Sequence, residues 1–309
     1  MVLGTPAYNL VLVSNLDPSM NKISNPTTLL AEASIADRKA FIVRELLARG
    51  LETEARKILG EDAPYSYGLA SLETEKWLIK FITQHKLTQD MLAQIRVLSN
   101  YPDSVLIQGE SGTGKELLAR ALRGPRKGEF IDINCAGLPE TLVESELFGH
   151  VKGAFTGAIA DKTGLLRIAQ HGVIFLDEIG ELGLGSQAKL LRALQERVVR
   201  QVGGNKNDEI NCRVVAATHH NLEALVKSGR FREDLFYRLS TFTLDILPLR
   251  QRACDVTPIL LHYLGDNLKA VPADFPELNF DFPGNVRYLQ AQVRRYKILV
   301  KRQLDYTTT

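Results

Sequence analysis

Gly109-Glu110-Ser111-Gly112-Thr113-Gly114-Lys115 is the stretch that decides the fold. Its spacing is G-x-x-x-x-G-K. It stands between a short β-rich stretch, Ser104–Gln108, and a helix-forming stretch, Lys115–Leu122. Strand, glycine-rich turn and helix in that order spell a phosphate-binding loop. The glycines let successive backbone N–H groups turn inward around an anion, and the helix N-terminus adds partial positive charge. Lys115 is then placed to reach the terminal phosphates of a nucleotide. The competing reading is a glycine-rich turn without a ligand, and the coincidence of motif, strand and helix weighs against it. One position departs from the usual pattern: Glu116 follows the lysine, where a Ser or Thr hydroxyl for Mg²⁺ is common.

Working outward, Val173-Ile174-Phe175-Leu176 is an apolar run that ends in Asp177-Glu178. A strand ending this way carries two carboxylates to the carboxyl edge of a sheet, where ligands of α/β sheets bind. Asp177 suits Mg²⁺, and Glu178 suits the polarisation of an attacking water. Phe130–Ile133 and Arg213–Ala217 are further short strands, and Ser186–Val199 has helical periodicity. Apolar strands that do not alternate are buried on both faces, as in parallel sheets covered by helices. The fold class expected is therefore α/β: a P-loop NTPase with a parallel sheet sandwiched by helices.

The rest of the chain divides around this core. Residues 1–68 form an N-terminal region, partly helical, with a helical hairpin over 28–59 and a linker over 60–68. Helices are expected over Leu72–His85 and Thr88–Leu98, with Thr88 as a possible N-cap. The nucleotide-binding domain is expected over 69–247. After Pro248 the strands stop, and 248–309 reads as a small, shortened helical lid with helices at Asp255–Asn267 and Val286–Leu304.

Composition bounds the partners. The 309 residues carry a formal net charge of +2, so nucleic-acid binding cannot be argued from overall charge. Cys135, Cys212 and Cys254 are an odd set without a C-x-x-C pair, which argues for a reducing cytosol over a disulfide framework. No apolar run approaches the about 20 residues of a membrane helix, and no signal peptide is read at the start.

Further motifs occur in order: Ile133–Ala136 (INCA), Glu144–Gly149 (ESELFG), Gly153–Ala158 (GAFTGA), Phe175–Gly180 (FLDEIG), Phe231–Leu239 (FREDLFYRL) and Pro283–Arg287 (PGNVR). Together with Gly109–Glu116 (GESGTGKE), they make the stretch from about Leu87 to Leu304 resemble the central AAA+ domain of bacterial sigma-54-dependent transcriptional activators. Glutamate after the lysine is usual in that family.

The resemblance implies an ATPase with ATP and Mg²⁺ at its site. Gly109, Glu110, Ser111, Gly112, Thr113, Gly114, Lys115 and Glu116 would hold the nucleotide, with Asp177 on the metal and Glu178 on water. Asn134 would hold the catalytic glutamate until the nucleotide state changes, and Thr218 would sense the γ-phosphate. Arg232 and Arg238 would be arginine fingers reaching a neighbour's ATP, and Arg287 a second sensor on the lid. Gly153, Ala154, Phe155, Thr156, Gly157 and Ala158 would form the loop that engages sigma-54. Small residues there give mobility, and Phe155 is expected to be exposed as a partner contact. The hairpin from Val199 to Val215, tipped by Gly203–Asp208, would be a second client-facing loop.

The resemblance also implies a self-assembled ring, with six subunits as the family pattern, acting on sigma-54 RNA polymerase in the bacterial cytoplasm. Plainer readings stand beside these: a solvated helix face for the two arginines, a flexible turn for Gly153–Ala158, and a surface hairpin for the second loop. The family usually adds a helix-turn-helix domain for DNA, and the stretch after Leu304 is not expected to hold one. The basic cluster Arg294, Arg295, Lys297, Lys301 and Arg302 could touch phosphates or form the wet side of a lid helix. Two other functions compete: a AAA+ remodeller of another client, and an adaptor or repressor of sigma-54 activators.

Overall fold

The computed structural model describes residues 72–137, 139–265 and 270–307, together with position 46. The helical hairpin and linker expected before residue 69 otherwise lie outside the described residues. In chain order, helices α1 (Leu72–Leu78) and α2 (Lys86–Leu98) precede strand β1 (Val105–Gln108) and helix α3 (Lys115–Ala121). Strand β2 (Phe130–Asn134) leads to helix α4 (Glu140–Phe148), then to a two-stranded ribbon of β3 (Gly149–His150) and β4 (Lys162–Thr163). Helix α5 (Leu165–Ile168), strand β5 (Val173–Asp177) and helix α6 (Leu184–Glu196) follow. Next come the hairpin strands β6 (Val198–Arg200) and β7 (Asn207–Glu209), and strand β8 (Arg213–Thr218). Helices α7 (Leu222–Lys227) and α8 (Glu233–Leu239) lead to strand β9 (Phe242–Asp245). Helices α9 (Val256–Leu264) and α10 (Asn285–Thr307) form the lid.

The central sheet has the order β2-β5-β8-β1-β9, and every pairing in it is parallel. Side chains alternate across β5: Ile174 and Leu176 face one apolar cluster, Val173 and Phe175 the other. The first cluster is filled from α4 to α8 by Val143, Leu147, Leu166, Leu190, Leu225 and Leu235. The second is filled from α1 to α3 by Leu78, Ile95 and Leu118. Both faces are covered, which is why β5 and β8 read as unbroken apolar runs. The lid has its own core around Leu249, Ile259, Leu260, Phe282, Leu289 and Val293.

Several boundaries differ from expectation. Helix α1 stops at Leu78 instead of His85. The backbone N–H groups of Gln84 and His85 donate to the carboxylate of Asp255, which pulls this segment out of helical geometry. Helix α2 begins at Lys86, two residues before Thr88, with His85 at its N-cap, and Thr88 is buried within it. Helix α6 ends at Glu196, where Arg197 takes a left-handed conformation and turns the chain into β6. Strand β9 was not expected: it is four residues long and lies at the edge of the sheet.

Candidate nucleotide site

The parallel register lines up the carboxyl ends of the strands. Asn134 pairs with Asp177, and Gln108 with Thr218. The loop after β1 therefore opens beside the carboxylates that end β5. Gly112 and Gly114 have φ of 77° and 107°, which side chains rarely adopt. A Cβ on Gly114 would lie 2.8 Å from Phe81 Cε2, and one on Gly112 would overlap the Gly284 carbonyl oxygen. The loop is thus shaped for close approach by the lid backbone at Gly284 and by the Phe81 ring that follows α1.

A cleft of about 290 Å³ joins Ser111–Lys115, Asp177 and Glu178 with Arg287 and Gln290 of α10. Phe81, Ile82, Ile259 and Tyr263 add an apolar wall. Phosphate-binding backbone at one end and apolar surface at the other match the two halves of a nucleotide.

Lys115 is buried and donates to the carbonyls of Gly109 at 2.9 Å and Glu110 at 3.4 Å. Its Nζ is also 3.5 Å from Glu178 Oε1. Glu178 itself has left-handed backbone angles, φ 53° and ψ 47°. Its Oε2 accepts from the backbone N–H of His219 at 3.1 Å and lies 2.6 Å from His219 Nδ1. Burial pushes the Glu178 carboxyl up, but the His219 hydrogen bond and the Lys115 charge outweigh it and hold the group below its ordinary value. Asp177 shifts the other way: burial first, then the Glu178 charge, push it up against the pull of Lys115. Two crowded carboxylates of this kind fit a hard divalent cation, which relieves their repulsion.

The structure does not bring every expected site residue to the same place. The Asn134 side chain accepts from the backbone N–H of Ala136 at 2.8 Å, and it is His219, not Asn134, that holds Glu178. Sequence reading missed His219; its only signal is its place directly after the strand that ends in Thr218. Thr218 is fully buried, and its hydroxyl accepts from the backbone N–H of His220 at 3.0 Å. The side chain of Glu116 is turned to Arg120, at 2.8 Å. That of Glu110 is turned to the lid, where Arg250 pairs with it at 2.6 and 2.8 Å and Asn285 Nδ2 donates at 3.2 Å.

The lid is tied to the loop more closely than its shortened sequence implies. Val286 N–H donates to the Gly112 carbonyl at 3.0 Å, Asn285 Nδ2 to the Ser111 carbonyl at 3.0 Å, and Arg287 to the Ser111 hydroxyl at 3.2 Å. Arg287 thus lines the cleft. Arg252 is buried beneath the loop and donates to the Thr113 carbonyl and to Asp255. Arg232 and Arg238 do not line the cleft. Arg232 caps α8 and pairs with Asp234 at 2.8 Å, while Arg238 donates to the Leu194 carbonyl at 3.0 Å. Both side chains are exposed.

The Gly153–Ala158 loop hangs between β3 and β4. Phe155 is not exposed, contrary to expectation: it is half-buried, edge-on to the His150 ring at 4.9 Å. The exposed apolar residue is Ile159, at 83%. The second loop packs on the first. Val151 N–H donates to the Val202 carbonyl, Val202 N–H to that of Gly149, and Gly203 lies against Ala154.

Comparison with known proteins agrees with this geometry. The model of the Sigma-54 interaction domain matches residues 81–245. The Nif-specific regulatory protein of Herbaspirillum seropedicae is 44% identical over 231 residues, covering 71% of this chain and 43% of that protein. The Sigma54-dependent transcriptional activator SfnR of Pseudomonas putida is 46% identical over 215 residues, covering 66% of this chain and 59% of that protein. The chain thus spans about half the length of such relatives. Among solved structures, NtrX from Brucella abortus in complex with ATP superposes with a TM-score of 0.63 at 27% identity, covering 82% of this chain and 56% of that one. With an α/β AAA+ fold and a match across more than half its length, this chain belongs to the family of sigma-54 interaction domains found in sigma-54-dependent transcriptional activators.

Proposed function

We propose that this chain binds ATP with Mg²⁺, hydrolyses it, and uses the resulting motion to remodel sigma-54 RNA polymerase for promoter opening. The observation that carries the reading is the convergence of Ser111–Lys115, the Asp177–Glu178 pair and Arg287 of the lid on one cleft. Residues 69–247 act as the nucleotide domain, 248–309 as its lid, and 1–68 as an N-terminal region.

The backbone of Gly109–Gly114 cradles the phosphates. Lys115 exchanges its Gly109 and Glu110 carbonyl partners for phosphate oxygens. Asp177 would hold Mg²⁺, which would neutralise phosphate charge. Glu178 orients the attacking water once it is released from Lys115 and His219. Thr218 senses the phosphate end of the site, Asn134 is the switch that takes hold of Glu178 in another nucleotide state, and Arg287 clamps the nucleotide from the lid. Glu110 and Glu116 serve by backbone; their side chains engage Arg250 and Arg120.

Arg232 and Arg238 complete the cleft of a neighbouring copy, so activity requires assembly into a ring. A finger given in trans is worth about 10³–10⁵ in rate. The Gly153–Ala158 loop delivers the motion, with Phe155 leaving His150 to reach its partner. Trapping this chain on sigma-54 with a transition-state mimic of ATP tests the reading. Capture that is lost in Thr156→Ala is expected, and no capture by the unaltered chain would overturn it.

A further inference from the structure

Next to the site, three side chains, one of them the His219 that holds Glu178, converge in a second cluster. Glu181, His219 and His220 each present a ligand atom, and these atoms lie within 4.8 Å of one another. The two imidazole rings stand 3.9 Å apart with an interplanar angle of 38°. His220 Nε2 is 2.5 Å from Glu181 Oε1. All three side chains are open to solvent at 33–44% exposure, so an ion has a path in.

Hydrogen bonding fixes the ring of His219. A carboxylate can only accept, so His219 Nδ1 is the donor of its 2.6 Å contact with Glu178 Oε2. That tautomer leaves a lone pair on Nε2. A histidine whose one ring nitrogen donates to a carboxylate is oriented by that bond, and its other nitrogen becomes a more basic metal ligand. The backbone adds rigidity: His220 N–H is held by Thr218 Oγ1, and the preceding N–H by Glu178.

We infer that Glu181, His219 and His220 form a binding site for a divalent transition ion, zinc being the best match, distinct from the Mg²⁺–nucleotide position. Two imidazoles and one carboxylate are a borderline donor set that suits Zn²⁺ and is poorly suited to Mg²⁺. To take the ion, His220 Nε2 and Glu181 Oε1, now 2.5 Å apart, open to about 3.3 Å so that each reaches it at about 2.0–2.1 Å, with any proton on His220 Nε2 moving to Nδ1. Three protein ligands leave a fourth position for water. Occupancy polarises His219 and tightens its hold on Glu178, so the ion slows ATP turnover. Binding stands alone; the slowing rests on the proposed role of Glu178.

The test titrates Co²⁺ into the full nucleotide-free chain in chelator-free buffer, reads visible absorption, and then competes with Zn²⁺. One ion per protomer is expected, weakened about tenfold or more by His220→Ala and by Glu181→Gln. Cys254→Ser is expected to bind as the unaltered chain does. Both site variants are checked for an unchanged melting curve. Equal uptake by the two site variants, or loss of uptake in Cys254→Ser, overturns the site. In parallel, micromolar Zn²⁺ is expected to slow Mg²⁺-dependent ATP turnover of the unaltered chain and to spare His220→Ala; inhibition that persists in that variant overturns the coupling. A chain that takes up the ion and never cleaves ATP supports the site and counts against the hydrolytic reading alone.

Discussion

Replacing Asp255 by Asn is expected to loosen both the lid and the phosphate loop. The residue is fully buried. Its Oδ2 accepts from Thr83 Oγ1 at 2.8 Å and from Arg252 at 3.2 Å, and its Oδ1 from the N–H groups of Gln84 and His85. Arg252 is equally buried, with 1% exposure, and its other nitrogens reach the carbonyls of Leu247 and Thr113. The isosteric amide leaves no cavity, so the cost is electrostatic. It strands a buried guanidinium and turns an N–H₂ toward groups that are themselves donors. Breaking a buried pair on one side costs about 3–5 kcal/mol, or roughly 6–20 °C in melting temperature for a domain of this size. Urea denaturation with a tryptophan signal from Trp77 measures it. ATP affinity should fall in the same variant, because Arg252 supports the Thr113 carbonyl within the loop. A double variant, Asp255→Leu with Arg252→Met, should recover much of the stability without the affinity. A loss below about 1 kcal/mol in Asp255→Asn, typical of an exposed pair, would refute the reasoning.

Gly112→Ala should abolish ATP binding in a calorimetric titration while the chain stays folded, because the new Cβ meets the Gly284 carbonyl at a strained φ of 77°. Arg250→Ala should leave the urea midpoint nearly unchanged, since its pair with Glu110 is nearly half exposed and screened by solvent. His219→Ala should raise the Glu178 pKa, because it removes the chief contact that lowers it. The sign follows from linkage: a carboxylate depressed below 4.5 adds stability above that pH and loses it as pH falls through the depressed value. The midpoint of acid unfolding should therefore move to higher pH in His219→Ala. His150→Ala should free Phe155, read as faster proteolysis within Gly153–Ala158.

Local chemistry made the nucleotide site legible and left its switches hidden. The 109–115 loop and the Asp177–Glu178 strand end announce themselves because backbone geometry demands those residue types at fixed spacing. The two-sided burial of β5 was likewise readable from its unbroken apolar run. The early end of α1 was not, because it depends on Asp255, some 170 positions away in sequence. The partner of Glu178 was also unreadable. His219 lies 41 positions on and meets the glutamate through the pairing of β5 with β8, whereas Asn134 bonds within its own turn. Phe155 is covered by His150 through a ribbon only two residues long on each side, too short to register in sequence periodicity.

ATP turnover measured against protein concentration tests the central claim most directly: a nucleotide cradled by one copy and completed by Arg232 and Arg238 of the next. The account predicts that activity per chain rises with concentration, that Glu178→Gln abolishes it, and that Arg232→Ala or Arg238→Ala lowers it by about 10³ or more while ATP still binds. Turnover independent of concentration and unchanged in both arginine variants would contradict it.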